Sequence, residues 1–181
     1  DKKLYNFALS LRERGRDWKK NGELYSIGWR SCRVPEICAV MGLSQFSHIK
    51  KINLHRKKIC KIYEKEINKT NFLTCLPLIN NSNMSIWKHI TVINDNKLKR
   101  EKLAKVIRDK HGIIINWAYD PPLHLQPVYK KLIPNTKKKF KNTEILMKKH
   151  FHLPLHMQIS EKNAKFIITK VIEECKTILK R

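Results

Sequence analysis

The spacing of apolar residues predicts a helix at each end of the chain. Apolar side chains fall three or four positions apart over residues 4 to 11, with Asp1 as the cap and Gly15 as the stop. The same spacing runs over residues 164 to 179, shortly after Ser160, which is a favourable capping residue. This second pattern is the most regular in the sequence, and it predicts a helix with one face in the core.

The pattern stays helical through the first third of the chain. Residues 16 to 34 are rich in charge and glycine and are predicted to form a loop. Pro35 suits the first turn of a helix, which Gly42 would interrupt. A long helix with one buried apolar stripe is then predicted from Phe46 to Ile67, and its lysine-rich face is expected to be solvated.

A different pattern begins near Asn71. Residues 72 to 79 and 86 to 93 predict strands, and residues 98 to 110 predict a helix that stops at Gly112. The short apolar run at residues 113 to 115 predicts a third, buried strand. Together these elements indicate a small α+β unit.

The remaining segment, which precedes the last helix, contains most of the prolines. Residues 121 to 134 predict an extended loop. A short helix, capped by Asn142 or Thr143, is expected to end before Pro154.

The net charge of +24 raises the question of nucleic-acid binding. Residues 1 to 90 contain 18 Lys and Arg against 7 Asp and Glu, and the rest of the chain contains 21 against 8. The charge is therefore spread evenly, without a basic tail. Lysine also outnumbers arginine, 30 to 9, whereas base recognition favours arginine. A basic nucleic-acid-binding protein is kept as the weaker alternative.

Cysteine usage favours a reduced, cytoplasmic protein. No apolar run reaches the roughly 18 residues that span a bilayer, and no secretory signal is visible. The absence of an initiator methionine indicates that residue 1 is not the natural start of translation. The chain has five cysteines: Cys32, Cys38, Cys60, Cys75 and Cys175. Because their number is odd and no pair has Cys-x-x-Cys spacing, neither disulfides nor a zinc site is predicted.

The histidines near the C-terminal helix do not predict a metal centre. Pro154 separates His152 from His156, so the two rings cannot share one face of a regular helix. No set of three or four converging ligands accompanies them. A glycine-rich phosphate loop and a Gly-x-Ser-x-Gly elbow are also absent from the sequence.

Two segments carry an unusual density of chemically capable residues. Residues 28 to 46 place Arg30, Ser31 and Arg33 beside a predicted helix N-terminus, which suits an anion such as phosphate. Surface pairing of Arg33 with a neighbouring glutamate explains the same residues equally well. Residues 119 to 129 alternate prolines with hydrogen-bonding groups, as functional loops often do, although the residues alone slightly favour a strap packed on the core.

These two segments resemble the DegT/DnrJ/StrS aminotransferases, which act on nucleotide-linked keto-sugars. Residues 33 to 46 are similar to the family motif that runs from an arginine into Ala-Ala-x-Gly-Leu-x-Gln-Leu. Residues 122 to 129 match the signature Pro-Leu-His-Leu-Gln-Pro-x-Tyr throughout, and residues 153 to 156 resemble the family's closing Leu-Pro-Leu-His. The resemblance covers nearly the whole chain in one order.

The resemblance implies a cofactor and a set of binding residues. The cofactor would be pyridoxal phosphate, bound mainly by an N-terminal domain that carries the Schiff-base lysine and would precede Asp1. No catalytic residue is therefore assigned to this chain. The family asparagine that reaches the phosphate is replaced by Ser31. The implied phosphate contacts are Arg30, Ser31 and Arg33, and the implied substrate contacts are Trp29, His124, Gln126 and Tyr129.

The fold class that follows is α/β, as the C-terminal part of a fold-type I aminotransferase. Residues 1 to 70 would form a helical interdomain and dimer segment, and residues 71 to 181 a small α+β domain with a short antiparallel sheet. The implied partners are the enzyme's own cofactor domain, a second copy in a homodimer and a nucleotide-sugar, with glutamate as amino donor. The alternative is a non-catalytic remnant or interaction module from a truncated or split gene.

Overall fold

The computed structural model describes residues 1–12, 16–17, 23–24, 34–76, 85–118, 120–126 and 140–180. The chain divides into two compact units, Asp1–Ile49 and Lys50–Arg181. The boundary predicted after residue 70, between a helical segment and a small α+β domain, stays a prediction. The fold class is confirmed, because helices flank a small antiparallel sheet.

The first unit begins with helix α1, Lys2–Arg12. Asp1 caps it as predicted, because its Oδ1 accepts hydrogen bonds from the backbone N–H of Lys3 at 2.8 Å and of Leu4 at 3.3 Å. Strand β1, Arg16–Asp17, then pairs antiparallel with β2, Glu23–Leu24. The prediction of a loop throughout residues 16–34 is therefore wrong at this short hairpin.

The predicted helix break lies at His48 and not at Gly42. Helix α2 spans Glu36–Ser47 and α3 spans Ile49–Ile67. At the junction, the Ser47 hydroxyl donates to the Ser44 carbonyl at 2.7 Å, and the His48 ring lies 2.8 Å from the same oxygen. Side-chain bonds of this kind compete with the helical ladder, which explains why the interruption occurs here.

The buried stripe of α3 is shorter than the sequence pattern indicates. Phe46, at the end of α2, is 72% exposed and Ile49 is 40% exposed, so burial does not begin where the apolar spacing does. The helix enters the core in its C-terminal half, through Ile59, Cys60, Tyr63 and Ile67.

A three-stranded antiparallel sheet forms the centre of the second unit. Strands β3, Leu73–Cys75, β4, His89–Ile93, and β5, His150–Leu153, lie in that order. Residues 113–115 do not form the predicted strand; an isolated bridge joins Asn116 to β5 instead.

Strand β5 was not anticipated from the sequence. Helix α5, Lys141–Lys149, begins after Phe140 and not after Asn142 or Thr143, and it ends directly at the strand. All four residues of β5 are buried, so the strand shows no alternation of apolar and polar positions. A buried run of this length cannot be distinguished from the end of a helix by periodicity.

The two most regular helices are confirmed. Helix α4, Arg100–His111, ends at Gly112, whose φ of 65° lies in the left-handed region that glycine adopts without strain. Helix α6, Glu161–Leu179, begins after Ser160, whose hydroxyl accepts the Asn163 N–H at 3.1 Å.

The core of the second unit lies between the sheet and these helices. Burying a side chain such as Ile or Phe contributes about 1.5–3 kcal/mol each, so this cluster is the main source of stability. A hydrogen bond from the Tyr63 hydroxyl to the Pro154 carbonyl, 2.8 Å long, ties α3 to the end of β5. The centre of this core consists of side chains that are at most 2% exposed: Ile59, Tyr63, Ile67, Leu73, Ile93, Leu103, Ile107, Phe151, Ile168, Val171 and Cys175.

Two histidines lie in or beside this core without charge. Burial lowers the pKa of His89 to about 4, from an ordinary value of 6.5. Burial also lowers the pKa of His152 to about 4, helped by the positive charges of Lys88 and His150. His89 packs edge-on against Tyr63, and its Nε2 has no hydrogen-bond partner among the described residues.

We predict that the stability of the second unit falls as pH drops from about 6.5 to about 4. In the unfolded chain these imidazoles gain a proton near pH 6.5, whereas in the folded chain they stay neutral until about pH 4. His89→Phe should remove about one proton, or about 1.4 kcal/mol per pH unit, from that slope. Urea unfolding across this pH range measures it. The exposed His156→Phe is the control, and an unchanged slope in His89→Phe would contradict the assignment.

Candidate functional site

The described part of the Pro-Leu-His-Leu-Gln segment is a tight turn and not an extended loop. A single 3₁₀ turn spans Leu123–Leu125, closed by hydrogen bonds from Leu125 N to the Pro122 carbonyl and from Gln126 N to the Leu123 carbonyl. The Gln126 side-chain amide donates back to the Pro121 carbonyl at 2.7 Å. Leu123 is 60% exposed, so this part of the segment is not a strap packed through that leucine.

One buried arginine fixes the start of this segment. Arg100, the first residue of α4, is 2% exposed. Its Nη2 donates to the Asp120 carboxylate at 2.5 Å and to Glu101 at 2.7 Å. Its Nη1 donates to the backbone carbonyl of Met147 at 2.5 Å and lies 3.3 Å from the carbonyl of His150. The guanidinium therefore joins the candidate segment to the junction of α5 and β5.

The same guanidinium also lies against an aromatic ring. Its central carbon is 4.0 Å from the centroid of Trp117. Cation–π contact and charge-assisted hydrogen bonds together compensate for removing the charge from water. Arginine suits this role because its planar fork satisfies several acceptors at once.

The signature histidine faces the protein. The His124 side chain is 10% exposed, and its Nε2 lies 3.2 Å from a carboxylate oxygen of Glu144 in α5. Its ring lies against Phe140, with centroids 4.9 Å apart. Two contacts therefore orient the imidazole.

A cavity of about 680 Å³ adjoins Arg100 and Asp120. Lys99, Lys148 and Lys149 contribute to its lining, together with Asp95 and Glu101. The lining contains Arg100 and three lysines against three carboxylates, two of which pair with Arg100. The cavity therefore suits an anionic group better than a cationic one.

The structure places two of the seven predicted binding residues. His124 and Gln126 lie on the same turn. Their predicted role as substrate contacts stays a prediction, since in this structure they bond to Glu144 and to the Pro121 carbonyl. The other five residues lie outside the described ranges: Trp29, Arg30, Ser31, Arg33 and Tyr129.

Three residues that support this site were missed by sequence analysis. Arg100, Asp120 and Glu144 are 20 or more positions from their partners along the chain. Arginine is scarce in a chain with so many lysines, and one at a helix start was the available signal. Spacing alone could not show which carboxylate it meets.

The chain belongs to the DegT/DnrJ/EryC1/StrS aminotransferase family, whose model matches residues 1–172. No curated protein sequence matches it. Among solved structures it is similar to the aminotransferase TlmJ from Streptoalloteichus hindustanus, with 20% identity and a TM-score of 0.82 over 100% of this chain and 47% of TlmJ.

Two further structures share the fold. Helicobacter pylori PseC, an aminotransferase involved in the biosynthesis of pseudoaminic acid, is 21% identical, with a TM-score of 0.84 over 98% of this chain and 47% of PseC. Spr1654 from Streptococcus pneumoniae, described as a sugar aminotransferase and solved in its PMP-form, is 21% identical, with a TM-score of 0.85 over 99% of this chain and 45% of Spr1654. The chain thus spans about half the length of these structures.

Aminotransferases of this family bind pyridoxal phosphate, and Spr1654 is known in its PLP-form. That cofactor acts as an electron sink once joined to a lysine amine. Such an amine must be desolvated to be neutral and nucleophilic. No lysine in the part of the chain that the structure describes is buried.

The described residues also reveal no metal centre and no membrane span. No group of three or more His, Cys, Asp or Glu within the described ranges could hold a metal ion. No helix in those same ranges is long and apolar enough to cross a bilayer.

We predict that Arg100→Met lowers the free energy of unfolding by about 2–3 kcal/mol, because it leaves Asp120 and two backbone carbonyls without their donor. Hydrogen exchange at residues 120–126 should also accelerate. Arg108→Met is the matched control: it lies on the same helix, is 63% exposed and pairs only with its neighbour Asp109. Its cost should stay within about 0.5 kcal/mol. Equal costs for the two variants would contradict the buried linkage.

Proposed function

We propose that this chain forms one wall of a pyridoxal-phosphate-dependent aminotransferase that acts on a nucleotide-linked keto-sugar, with glutamate as the amino donor. The observation that carries the proposal is the family match over residues 1–172. It is joined by the turn at Leu123–Leu125, here called the signature turn, which contacts of Arg100 and His124 hold in place. The chain would not transaminate alone. It would act in the cytoplasm, where the buried thiols of Cys60 and Cys175 stay reduced.

The proposed role of the signature turn follows from its contacts. Asp120, which precedes the turn, is held by the Arg100 fork, and His124, at the centre of the turn, is held by Glu144, so the turn is fixed before substrate binds. Fixed groups lose little entropy on binding, which favours a positioning role for the turn. The His124 imidazole, together with the lysine-lined cavity that adjoins Arg100 and Asp120, would suit the phosphates of a nucleotide-sugar.

The partner we propose is a cofactor domain of the same enzyme, within a homodimer. Helix α2 supports this, because none of its residues is buried. Large apolar surfaces of this kind mark sites of protein contact. The solved relatives contain about as much chain again beyond the matched half, which is the material that would cover α2. Its exposed apolar residues are Ile37, Val40, Met41, Leu43 and Phe46, each 62–72% exposed.

We predict that the isolated chain does not retain pyridoxal phosphate at one lysine. After incubation with equimolar cofactor, borohydride reduction and dialysis, peptide mass spectrometry should show only scattered modification of exposed lysines. The physical reason is that no described lysine is desolvated. Stoichiometric labelling of a single lysine would refute the proposed division of labour between two domains.

The DNA upstream of the Asp1 codon separates the enzyme from the alternative. A reading frame that continues in phase into a lysine-bearing cofactor domain supports the aminotransferase. A stop codon at that point supports a non-catalytic module from a truncated or split gene.

In the enzyme that includes the proposed cofactor domain, we predict that His124→Ala raises the KM for the nucleotide keto-sugar by about tenfold. This is the effect of losing one charge-assisted hydrogen bond. The glutamate half-reaction should be unaffected, because the turn is proposed to contact only the sugar-nucleotide. Stopped-flow measurement of each half-reaction tests this. Glu173→Gln, an exposed carboxylate on α6 paired with Lys170, is the control. Equal losses in both half-reactions would show that His124 acts elsewhere.

A further inference from the structure

A second cavity, of about 540 Å³, lies at the end of the sheet in the Lys50–Arg181 unit. This size falls within the range of about 300–1,000 Å³ that is usual for small-molecule sites. Its floor is apolar, formed by Ile113, Leu153 and Ile167, which are each less than 10% exposed. No Asp or Glu lines it, so an anionic ligand meets no repulsion there.

One side of the cavity presents an aromatic surface beside a positive charge. The Trp87 ring is 65% exposed, and the ammonium of Lys88 lies 4.4 Å from its centroid. An indole is a good stacking surface for a planar base. The adjacent ammonium suits a phosphate carried by the same molecule.

The lining also contains an ordered polar group. His152 is 6% exposed, and its Nδ1 lies 3.2 Å from the side-chain oxygen of Asn116. Because an amide oxygen can only accept, Nδ1 donates, and Nε2 has no partner among the described residues. The low pKa of His152 leaves Nε2 as an acceptor at neutral pH. Asn116 adds an amide donor, so both kinds of group on a base edge can be satisfied.

We propose that this cavity binds a nucleoside monophosphate, with the base stacked on Trp87 and facing His152 and Asn116, and the phosphate at Lys88 and the exposed His156. An aromatic platform, a donor and an acceptor, and a cation without a competing carboxylate are the features that this ligand class requires. This site stands independently of the proposed amino transfer, since it needs no part of the chain beyond the second unit.

Calorimetric titration of the chain with UMP and AMP tests the proposal, with uridine and inorganic phosphate as the two partial ligands. Both nucleotides should bind more tightly than either partial ligand. Trp87→Ala should weaken UMP binding about tenfold, the scale of one base–aromatic stack. Lys88→Gln should weaken UMP binding and leave uridine binding unchanged.

The chain offers matched controls for both variants. Phe166 is 50% exposed and Lys170 lies over its ring at 6.0 Å, and neither residue lines the cavity. Phe166→Ala and Lys170→Gln should leave UMP binding unchanged. NMR spectra of the labelled chain should show UMP shifting the Trp87 indole signal, and they also confirm that each variant is folded.

Three results would overturn the proposal. UMP binding no tighter than that of inorganic phosphate would reduce the site to a weak cationic surface. Unchanged affinity for UMP in both Trp87→Ala and Lys88→Gln would show that UMP does not bind in this cavity. Shifts centred on the lysines around Arg100 would place the nucleotide at the other cavity instead.

Discussion

The buried guanidinium of Arg100 is the constraint on which the candidate site depends. A charge that is 2% exposed must be matched by acceptors, and those acceptors come from Asp120, Glu101 and the end of α5. The sheet contributes three short strands, which cannot by themselves fix the long connections that surround it. The position of the signature turn is therefore set by Arg100, the first residue of α4.

The sequence predicted the parts of the fold that local rules decide. Ser160 and Gly112 mark helix ends because capping and left-handed geometry are properties of single residues. Strand β5 was missed because all its side chains are buried, and the break at His48 was missed because side-chain hydrogen bonds outweighed the expected effect of Gly42. The contacts of Arg100 and His124 are long-range, and no periodicity encodes them.

Helix α2 forms as the sequence pattern predicts, but none of its apolar side chains is buried in this chain. The buried apolar stripe was predicted to begin at Phe46, yet Phe46 is exposed in this chain, as is Val40. The hydrophobic effect acts on whatever apolar surface is available, including a surface from outside the chain. The solved relatives are about twice as long as this chain. The predicted binding residues Trp29, Arg30, Ser31 and Arg33 precede this same helix in the sequence.

The charge of the chain explains why its few carboxylates have such similar roles. With 39 Lys and Arg against 15 Asp and Glu, cations outnumber carboxylates by more than two to one. Glu174, which is 7% exposed, bonds both Lys110 and His111, and these hydrogen bonds lower its pKa. Glu144 holds His124 in the same way. Burial, helped by Lys88 and His150, lowers the pKa of His152, which therefore stays neutral and remains an acceptor. The placement of the acidic residues decides which cations each cavity has available for an anionic ligand.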